Sequence, residues 1–261
     1  MAVVQVFLDD FLAELVIDNP PLNLVDLTVV DELEQRLGDI ENWVASGECR
    51  ALILRAEGRI FCAGVDVHHF LGHDAESGTR HIARHLALTH RLEALAIPTL
   101  AAVHGLCLTI GFELSLGCDL LWAADTARFG LVESTVGLTP GAGGTQRVAV
   151  RAGHARAAEL VYTGDQYPAA TLMEWGVVSR VVPRETLLDE ARAFAQRLAH
   201  GPTLAISAAK SILLTTQRNG ADAADEMTAG LVGQLLTTDD LQDGVRSLLD
   251  NGPGRAVFHG R

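Results

Sequence analysis

Lysine is nearly absent from this sequence. Lys210 is the only lysine among the 20 Lys and Arg residues, so arginine carries almost all of the positive charge. Chemistry that depends on lysine, such as a Schiff base or a phosphate-binding P-loop, must use this one residue or be absent. Basic residues form no run, and the net charge is −13. We therefore expect neither nucleic acid nor an anionic membrane as a partner.

Long apolar runs and paired cysteines are also missing. No run reaches the ~18 apolar residues of a membrane span, and the first residues lack the basic segment and longer apolar core of a signal peptide. Cys49, Cys62, Cys107 and Cys118 form no CxxC pair, and three of them have apolar neighbours. This pattern favours buried, reduced thiols. We expect an intracellular, cytoplasmic protein without a membrane segment.

The pattern of apolar residues predicts an α/β fold. The 261 residues, of which 48% are apolar, suit one large domain or a domain with an appendage. Strands are predicted at 3–8, 12–17, 50–55, 96–103, 119–124, 127–130 and 177–182. Helices are predicted at 26–44, within 74–95 after a mobile loop, and at 154–162, 169–175, 185–198, 202–216, 221–236 and 239–249. A strand, a glycine turn and a helix thus recur with a spacing of about 50 residues.

Two glutamates stand in apolar surroundings. Glu113 lies in the middle of the apolar stretch Val103–Asp119, and Glu133 lies in a second apolar segment. Burying a carboxylate costs several kcal/mol unless something pairs with it or uses it. Each glutamate alone is compatible with a structural role. Burial and a like charge nearby both raise a carboxyl pKa, however, so together they are candidates for acid–base chemistry near neutral pH.

Two glycine turns offer backbone N–H groups. Gly64-Val65 follows one predicted strand and Ile110-Gly111 follows another, and two such turns could together bind a developing oxyanion. A serine hydrolase is disfavoured because no G-x-S-x-G segment exists. A cysteine nucleophile would need an oriented histidine beside Cys62 or Cys107.

Two other patterns have simpler interpretations. Histidines are frequent between residues 68 and 90, and His81 and His85 are spaced as two metal ligands on a helix could be. Acidic or cysteine residues at supporting positions are missing, so we favour a solvated helix face and expect no metal. The glycine-dense segment from Pro140 to Arg147 lacks the lysine of a P-loop and predicts a tight turn that leads into a helix.

Four segments resemble the enoyl-CoA hydratase/isomerase (crotonase) family, in the family's order. They are Phe61–Val67 (F-C-A-G-V-D-V), Val103–Asp119, Ala127–Glu133 and Pro140–Arg147. The resemblance extends from about Val3 to the C-terminus. It implies a crotonase-like spiral of β-β-α repeats over residues 1–200 and a helical trimerisation region over residues 201–261. It also implies an acyl-CoA thioester as substrate, no separate cofactor, and a homotrimer or hexamer.

The resemblance implies roles for individual residues. The N–H groups of Val65 and Ile110 would hold the thioester oxygen. Glu113 would activate water for attack on Cβ, and Glu133 would exchange a proton at Cα. The remaining positions that correspond to the substrate site are Leu22, Ala63, Asp66, Val67, His68 and Gly111.

The sequence departs from the family pattern at several of these positions. Thr109 and Ile110 replace consecutive glycines, Val132 replaces a proline, and His68 and His259 replace basic residues. Retention of both glutamates favours an enoyl-CoA hydratase. A Δ3,Δ2-enoyl-CoA isomerase that uses Glu133 alone is one alternative, and a non-catalytic member that binds CoA esters is another.

Overall fold

The computed structural model describes residues 2–261, apart from the side chain of His69, and two β-sheets organise its backbone. The strands of this part of the chain are β1 (Val4–Asp9), β2 (Leu12–Ile17), β3 (Ala51–Ala56), β4 (Thr99–Val103), β5 (Leu106–Leu108), β6 (Leu120–Ala124), β7 (Arg128–Gly130), β8 (Tyr167–Pro168) and β9 (Arg180–Val182). The larger sheet has the order β1-β2-β3-β4-β6-β9, and the smaller has the order β5-β7-β8.

Helices make the crossovers that parallel strands require. The α-helices are α1 (Leu27–Ala45), α2 (Ala75–Ala94), α3 (Ile110–Leu116), α4 (Gly144–Ala152), α5 (His154–Thr163), α6 (Ala169–Glu174), α7 (Leu187–Ala199), α8 (Thr203–Asn219), α9 (Ala221–Leu235) and α10 (Asp239–Asn251). Strands β1 and β2 pair antiparallel, and all later pairs of the larger sheet are parallel.

The chain repeats one unit three times. β3 joins the larger sheet, Cys62 then bridges to Cys107 of β5, and α2 follows. β4 joins the larger sheet, β5 the smaller one, and α3 follows. β6 and β7 divide in the same way before α4. This confirms the predicted α/β spiral of β-β-α repeats with helices at its C-terminal end.

Helix α1 shows how the sequence specifies these elements. Val29, Leu33, Leu37 and Ile40 are buried, at the spacing of one helical face. Asp26 caps the helix, because its side chain accepts a hydrogen bond of 2.9 Å from the Val29 N–H. Strand β3 is buried at all six positions, as expected of a parallel strand covered on both faces.

The structure differs from the predictions in three places. The solvated helix face predicted for His81 and His85 is wrong at His85, because that residue is buried on α2. The mobile loop expected at the start of 74–95 is wrong, because α2 begins at Ala75. Asp74 caps it, because its side chain accepts a 2.8 Å hydrogen bond from the Ser77 N–H. The Ser77 hydroxyl in turn accepts a hydrogen bond from the Asp74 N–H. Strands β5 and β8 were not predicted, because β5 lies within a continuous apolar stretch without a period and the two residues of β8 are too few to show one.

Helices α8, α9 and α10 form the C-terminal end, and α8 packs on α9. Large apolar side chains remain exposed here, among them Leu213 and Leu249. Trimer formation and the division at residue 200 stay predictions. Among the described residues, no helix combines the length and apolar character needed to cross a membrane.

Candidate active site

A cavity of about 110 Å³ lies where three segments meet. The first segment is the turn after β3, the second is the N-terminal end of α3, and the third runs from Val132 through the turn before α4. Six of the residues predicted for the site line it: Ala63, Val65, Val67, Ile110, Glu113 and Glu133. The structure thus brings together groups that are up to 70 positions apart in the chain.

Glu113 projects from α3 and is held by backbone groups. Its side chain is buried, and Oε1 accepts hydrogen bonds of 2.8 Å from the Ala142 N–H and 2.9 Å from the Gly144 N–H. Burial raises the pKa of Glu113 to about 7, although these two bonds and the charge of Arg147 act in the opposite direction. The carboxyl is therefore poised to change protonation near neutral pH.

Glu133 begins the short 3₁₀ helix Glu133–Val136 and is also buried. Burial, followed by the negative charge of Glu113, raises the pKa of Glu133 to about 7. Its Oε2 atom is buried and has no hydrogen-bond partner within residues 2–261. The two glutamates therefore differ in their hydrogen bonds. Backbone N–H groups bind Glu113, whereas Glu133 has an oxygen available to a ligand.

The N–H groups of Val65 and Ile110 belong to residues that line the same cavity. Ile110 is the first residue of α3, where an N–H has no partner within its own helix. Within the described chain, neither N–H donates a hydrogen bond to a protein group. Backbone N–H groups without a protein acceptor are one component of an oxyanion site, and the assignment of these two to that role stays a prediction.

Four of the predicted site residues do not line this cavity. The carbonyl of Leu22 accepts from the Ala63 N–H at 3.0 Å. Asp66 caps the 3₁₀ helix Val67–Phe70 and pairs with Nδ1 of the exposed His68 at 2.7 Å. A Cβ at Gly111 would lie 2.5 Å from Cβ of Cys62, so glycine there lets α3 approach that residue. Leu22, Asp66 and Gly111 thus support neighbouring backbone, His68 lines a second cavity, and contact of any of the four with substrate stays a prediction.

Some cavity residues were missed by sequence reasoning. Leu138 lines the cavity, as do Ile82 and His85 of α2. Thr109 and Val132 line it too, although the sequence marked them only as departures from the family pattern. A second cavity of about 630 Å³ adjoins it, since Val67, Phe70, Ile82, Val136 and Leu138 line both. The only available signal for the α2 residues was helical spacing, which indicates a face of the helix but not what that face contacts.

The structure gives no support to a cysteine nucleophile. Cys62 and Cys107 are fully buried, and burial raises the pKa of Cys62 to about 12 and that of Cys107 well above its usual value. Both thiols are therefore protonated at neutral pH and poorly reactive. Within the described residues, no group of three or more His, Cys, Asp or Glu side chains is arranged to hold a metal ion.

Ile110 lines the cavity and keeps its N–H, while its side chain is part of the hydrophobic core. The residue that replaces the family's glycine here therefore leaves the backbone donor in place.

Comparison with known proteins identifies relatives over nearly the whole chain. The sequence model of the Enoyl-CoA hydratase/isomerase family matches residues 9–255. The 2,3-dehydroadipyl-CoA hydratase of Escherichia coli is 33% identical over 217 residues, which are 83% of this chain and 84% of that protein. The enoyl-CoA isomerase/hydratase fer4 of Mycosarcoma maydis is 40% identical over 162 residues, 62% of this chain and 59% of that protein.

A solved structure is also similar to this chain over nearly its whole length. The enoyl-CoA hydratase from Bacillus anthracis superposes with a TM-score of 0.92 at 28% identity, covering 99% of this chain and 100% of that one. The similarity therefore includes the C-terminal helices as well as the two sheets.

Proposed function

The chain belongs to the enoyl-CoA hydratase/isomerase family, and we propose that it is an enoyl-CoA hydratase that adds water to a trans-2-enoyl-CoA thioester. The observation that carries this proposal is the pair of buried glutamates in one cavity. Both have a pKa of about 7, and the charge of Glu113 raises that of Glu133. Such a pair tends to hold one proton between its members near neutral pH.

Hydration needs a base and an acid at the same time, and this pair supplies both. Glu113 is the member that we assign as the base, because two backbone N–H groups stabilise its ionised form. It takes a proton from water as the oxygen bonds to Cβ. The electrons of the double bond move onto the thioester oxygen. Glu133, the protonated member, then gives its proton to Cα, so the pair keeps one proton.

The thioester oxygen becomes negatively charged during this reaction. The Val65 and Ile110 N–H groups, which belong to residues that line the cavity, are available to donate hydrogen bonds to this oxygen. Backbone donors arranged in advance favour the charged intermediate over the neutral substrate, and the loss of one such donor costs ~10²–10³ in kcat. The residue 110 substitution keeps this donor, which argues against a non-catalytic binding protein.

One observation favours isomerase activity as a second candidate. Glu133 has an oxygen without a partner in the described chain, whereas Glu113 has Oε1 bound by two N–H groups. A single mobile carboxyl could carry a proton between C2 and C4 of a 3-enoyl-CoA while the N–H groups hold the enolate. Glu113 would then have no direct part in proton transfer.

Two substrates and three variants distinguish these possibilities. Crotonyl-CoA should lose its conjugated-enoyl absorbance if the protein is a hydratase, and a 3-enoyl-CoA should gain it if the protein is an isomerase. Glu113→Gln and Glu133→Gln should each reduce hydration by at least ~10²-fold, and Glu174→Gln, at an exposed position on α6, is the matched control. Hydration that survives both active-site substitutions would disprove the mechanism. Isomerisation that needs only Glu133 would assign the second activity.

A further inference from the structure

Thr109 has a backbone conformation that its side chain disfavours. It lies directly before α3 with φ 46° and ψ −121°. Glycine adopts positive φ readily, whereas a β-branched residue in this region is a clear outlier. Such outliers persist only where the surrounding structure enforces them, and they concentrate at functional sites.

The Thr109 side chain carries a second unfavourable feature. Its hydroxyl oxygen, Oγ1, is fully buried and has no hydrogen-bond partner among the described residues. Most buried polar side-chain atoms have a partner, so an orphaned hydroxyl calls for an explanation. The positive φ and the unpaired hydroxyl both destabilise the fold at a residue beside the candidate site. This combination suggests that the Thr109 side chain has a function there.

The side chain of Thr109 packs directly on Gly64. A Cβ atom added to Gly64 would lie 2.6 Å from Oγ1 and 3.4 Å from Cγ2 of Thr109. No side chain at position 64 could therefore coexist with Thr109 in this position. The threonine fills the space that the glycine leaves open.

The two residues in contact each precede one of the candidate donors. Gly64 is followed by Val65, and Thr109 is followed by Ile110. Each of these two residues is also held by a backbone hydrogen bond to another part of the chain. The Gly64 carbonyl accepts from the Val25 N–H, and the Thr109 N–H donates to the Gly130 carbonyl, both at 2.9 Å. The contact between residues 64 and 109 therefore joins two anchored segments at the site where a single oxygen would bind.

We propose that Thr109 is a positioning residue whose side chain, packed on Gly64, sets the separation of the Val65 and Ile110 N–H groups. This inference rests on the proposed function, because it assigns those groups to one thioester oxygen. Thr109 acts through the backbone that leads into Ile110, and its buried hydroxyl makes no hydrogen bond among the described residues. Shape, not hydrogen bonding, is therefore the property of the side chain that matters.

Two substitutions at residue 109 separate shape from strain. Thr109→Gly removes the packing and relieves the positive φ, so we expect kcat to fall by about tenfold with KM within about twofold. We expect its Tm to rise by about 2–4 °C, because the strain and the orphaned hydroxyl are both removed. Thr109→Val keeps the shape without the hydroxyl, so its kcat should stay within about twofold of the unsubstituted protein.

A purely structural role would give a different pattern. If Thr109 only stabilised the fold, Thr109→Gly would lower Tm and kcat together, and that result would overturn the proposal. So would an unchanged kcat in Thr109→Gly. A loss in Thr109→Val as large as that in Thr109→Gly would assign the effect to the hydroxyl and would also refute positioning by shape.

A readout without turnover keeps this test separate from the proposed function. Acetoacetyl-CoA forms an enolate with distinct near-ultraviolet absorbance, and two well-placed N–H donors should increase that enolate on binding. We expect about tenfold less bound enolate in Thr109→Gly than in Thr109→Val. If the unsubstituted protein forms the enolate but neither hydrates nor isomerises enoyl-CoA, the proposed function fails while the inference on Thr109 stands. Equal enolate in the two variants would overturn the inference even if hydration is observed.

Discussion

Replacement of Glu133 by glutamine should make the protein more stable at alkaline pH while it removes the proposed activity. Glu133 is buried, and the negative charge of Glu113 lies close enough to raise its pKa. Glutamine has nearly the same size and carries no charge. The substitution therefore removes both the cost of burying a carboxylate and its repulsion from the neighbouring glutamate.

The size of this effect follows from the pKa. Burial and then Glu113 raise the pKa of Glu133 from its usual 4.5 to about 7, and one pH unit corresponds to 1.36 kcal/mol. The charged form in the folded protein is thus disfavoured by about 3 kcal/mol. Because the pKa is raised, the folded state binds more protons than the unfolded state between these two values. The stability that the protonated Glu133 contributes to the folded state is fully present below about pH 4.5 and is lost as the pH rises through about 7.

Urea denaturation from pH 5 to pH 8.5 tests this reasoning. The free energy of unfolding of Glu133→Gln should exceed that of the unsubstituted protein by about 3 kcal/mol at pH 8, or about 6–12 °C in Tm. The difference should shrink towards zero near pH 4.5. Glu174→Gln, at an exposed position, should show no such dependence. If Glu133→Gln is no more stable at pH 8 than at pH 5 relative to the unsubstituted protein, residue 133 is not a buried carboxylate of raised pKa.

Three further predictions concern pH, acyl-chain length and a buried ion pair. Because the two glutamates both have a pKa of about 7, kcat/KM for crotonyl-CoA should be bell-shaped with a maximum near pH 7; a flat profile from pH 5 to 9 would contradict a shared proton. Ile110→Ala enlarges the cavity and should raise kcat/KM for 2-octenoyl-CoA relative to crotonyl-CoA by roughly tenfold, whereas an unchanged ratio would show that Ile110 does not limit chain length. Lys210 is buried and pairs with Asp119 at 2.9 Å, so Lys210→Met should reduce the free energy of unfolding by about 2–3 kcal/mol. Arg246→Met, which breaks an exposed pair with Asp243, should change it by less than about 1 kcal/mol in the same urea titration.

Most of the architecture could be predicted because local patterns specify it. The buried face of α1 and its Asp26 cap can be read directly from residue spacing. β5 could not, because Leu106–Leu108 lies in a stretch that is apolar at nearly every position and shows no period. Its strand conformation depends on pairing with β7, which tertiary structure alone supplies.

The candidate site divides in a similar way. The two glutamates could be singled out from the sequence, because carboxylates are unusual in apolar segments. The N–H donors to Glu113 could not, since Ala142 and Gly144 lie 29 and 31 residues further along the chain. Gly111 has a structural role that the sequence did not indicate, since its lack of a side chain lets α3 pack on Cys62, and its predicted place in the substrate site stays a prediction.

The glycine-dense turn before α4 links these observations to the direction of proton transfer. The residue pattern there predicts a tight turn that leads into a helix, and that turn also presents the Ala142 and Gly144 N–H groups to Glu113. A Cβ at Gly144 would lie 2.9 Å from Cγ of Glu113, so glycine is needed for this approach. Within residues 2–261, Oε2 of Glu133 receives no hydrogen bond. We therefore propose that the hydrogen bonds from this turn favour the ionised form of Glu113 and leave the shared proton on Glu133.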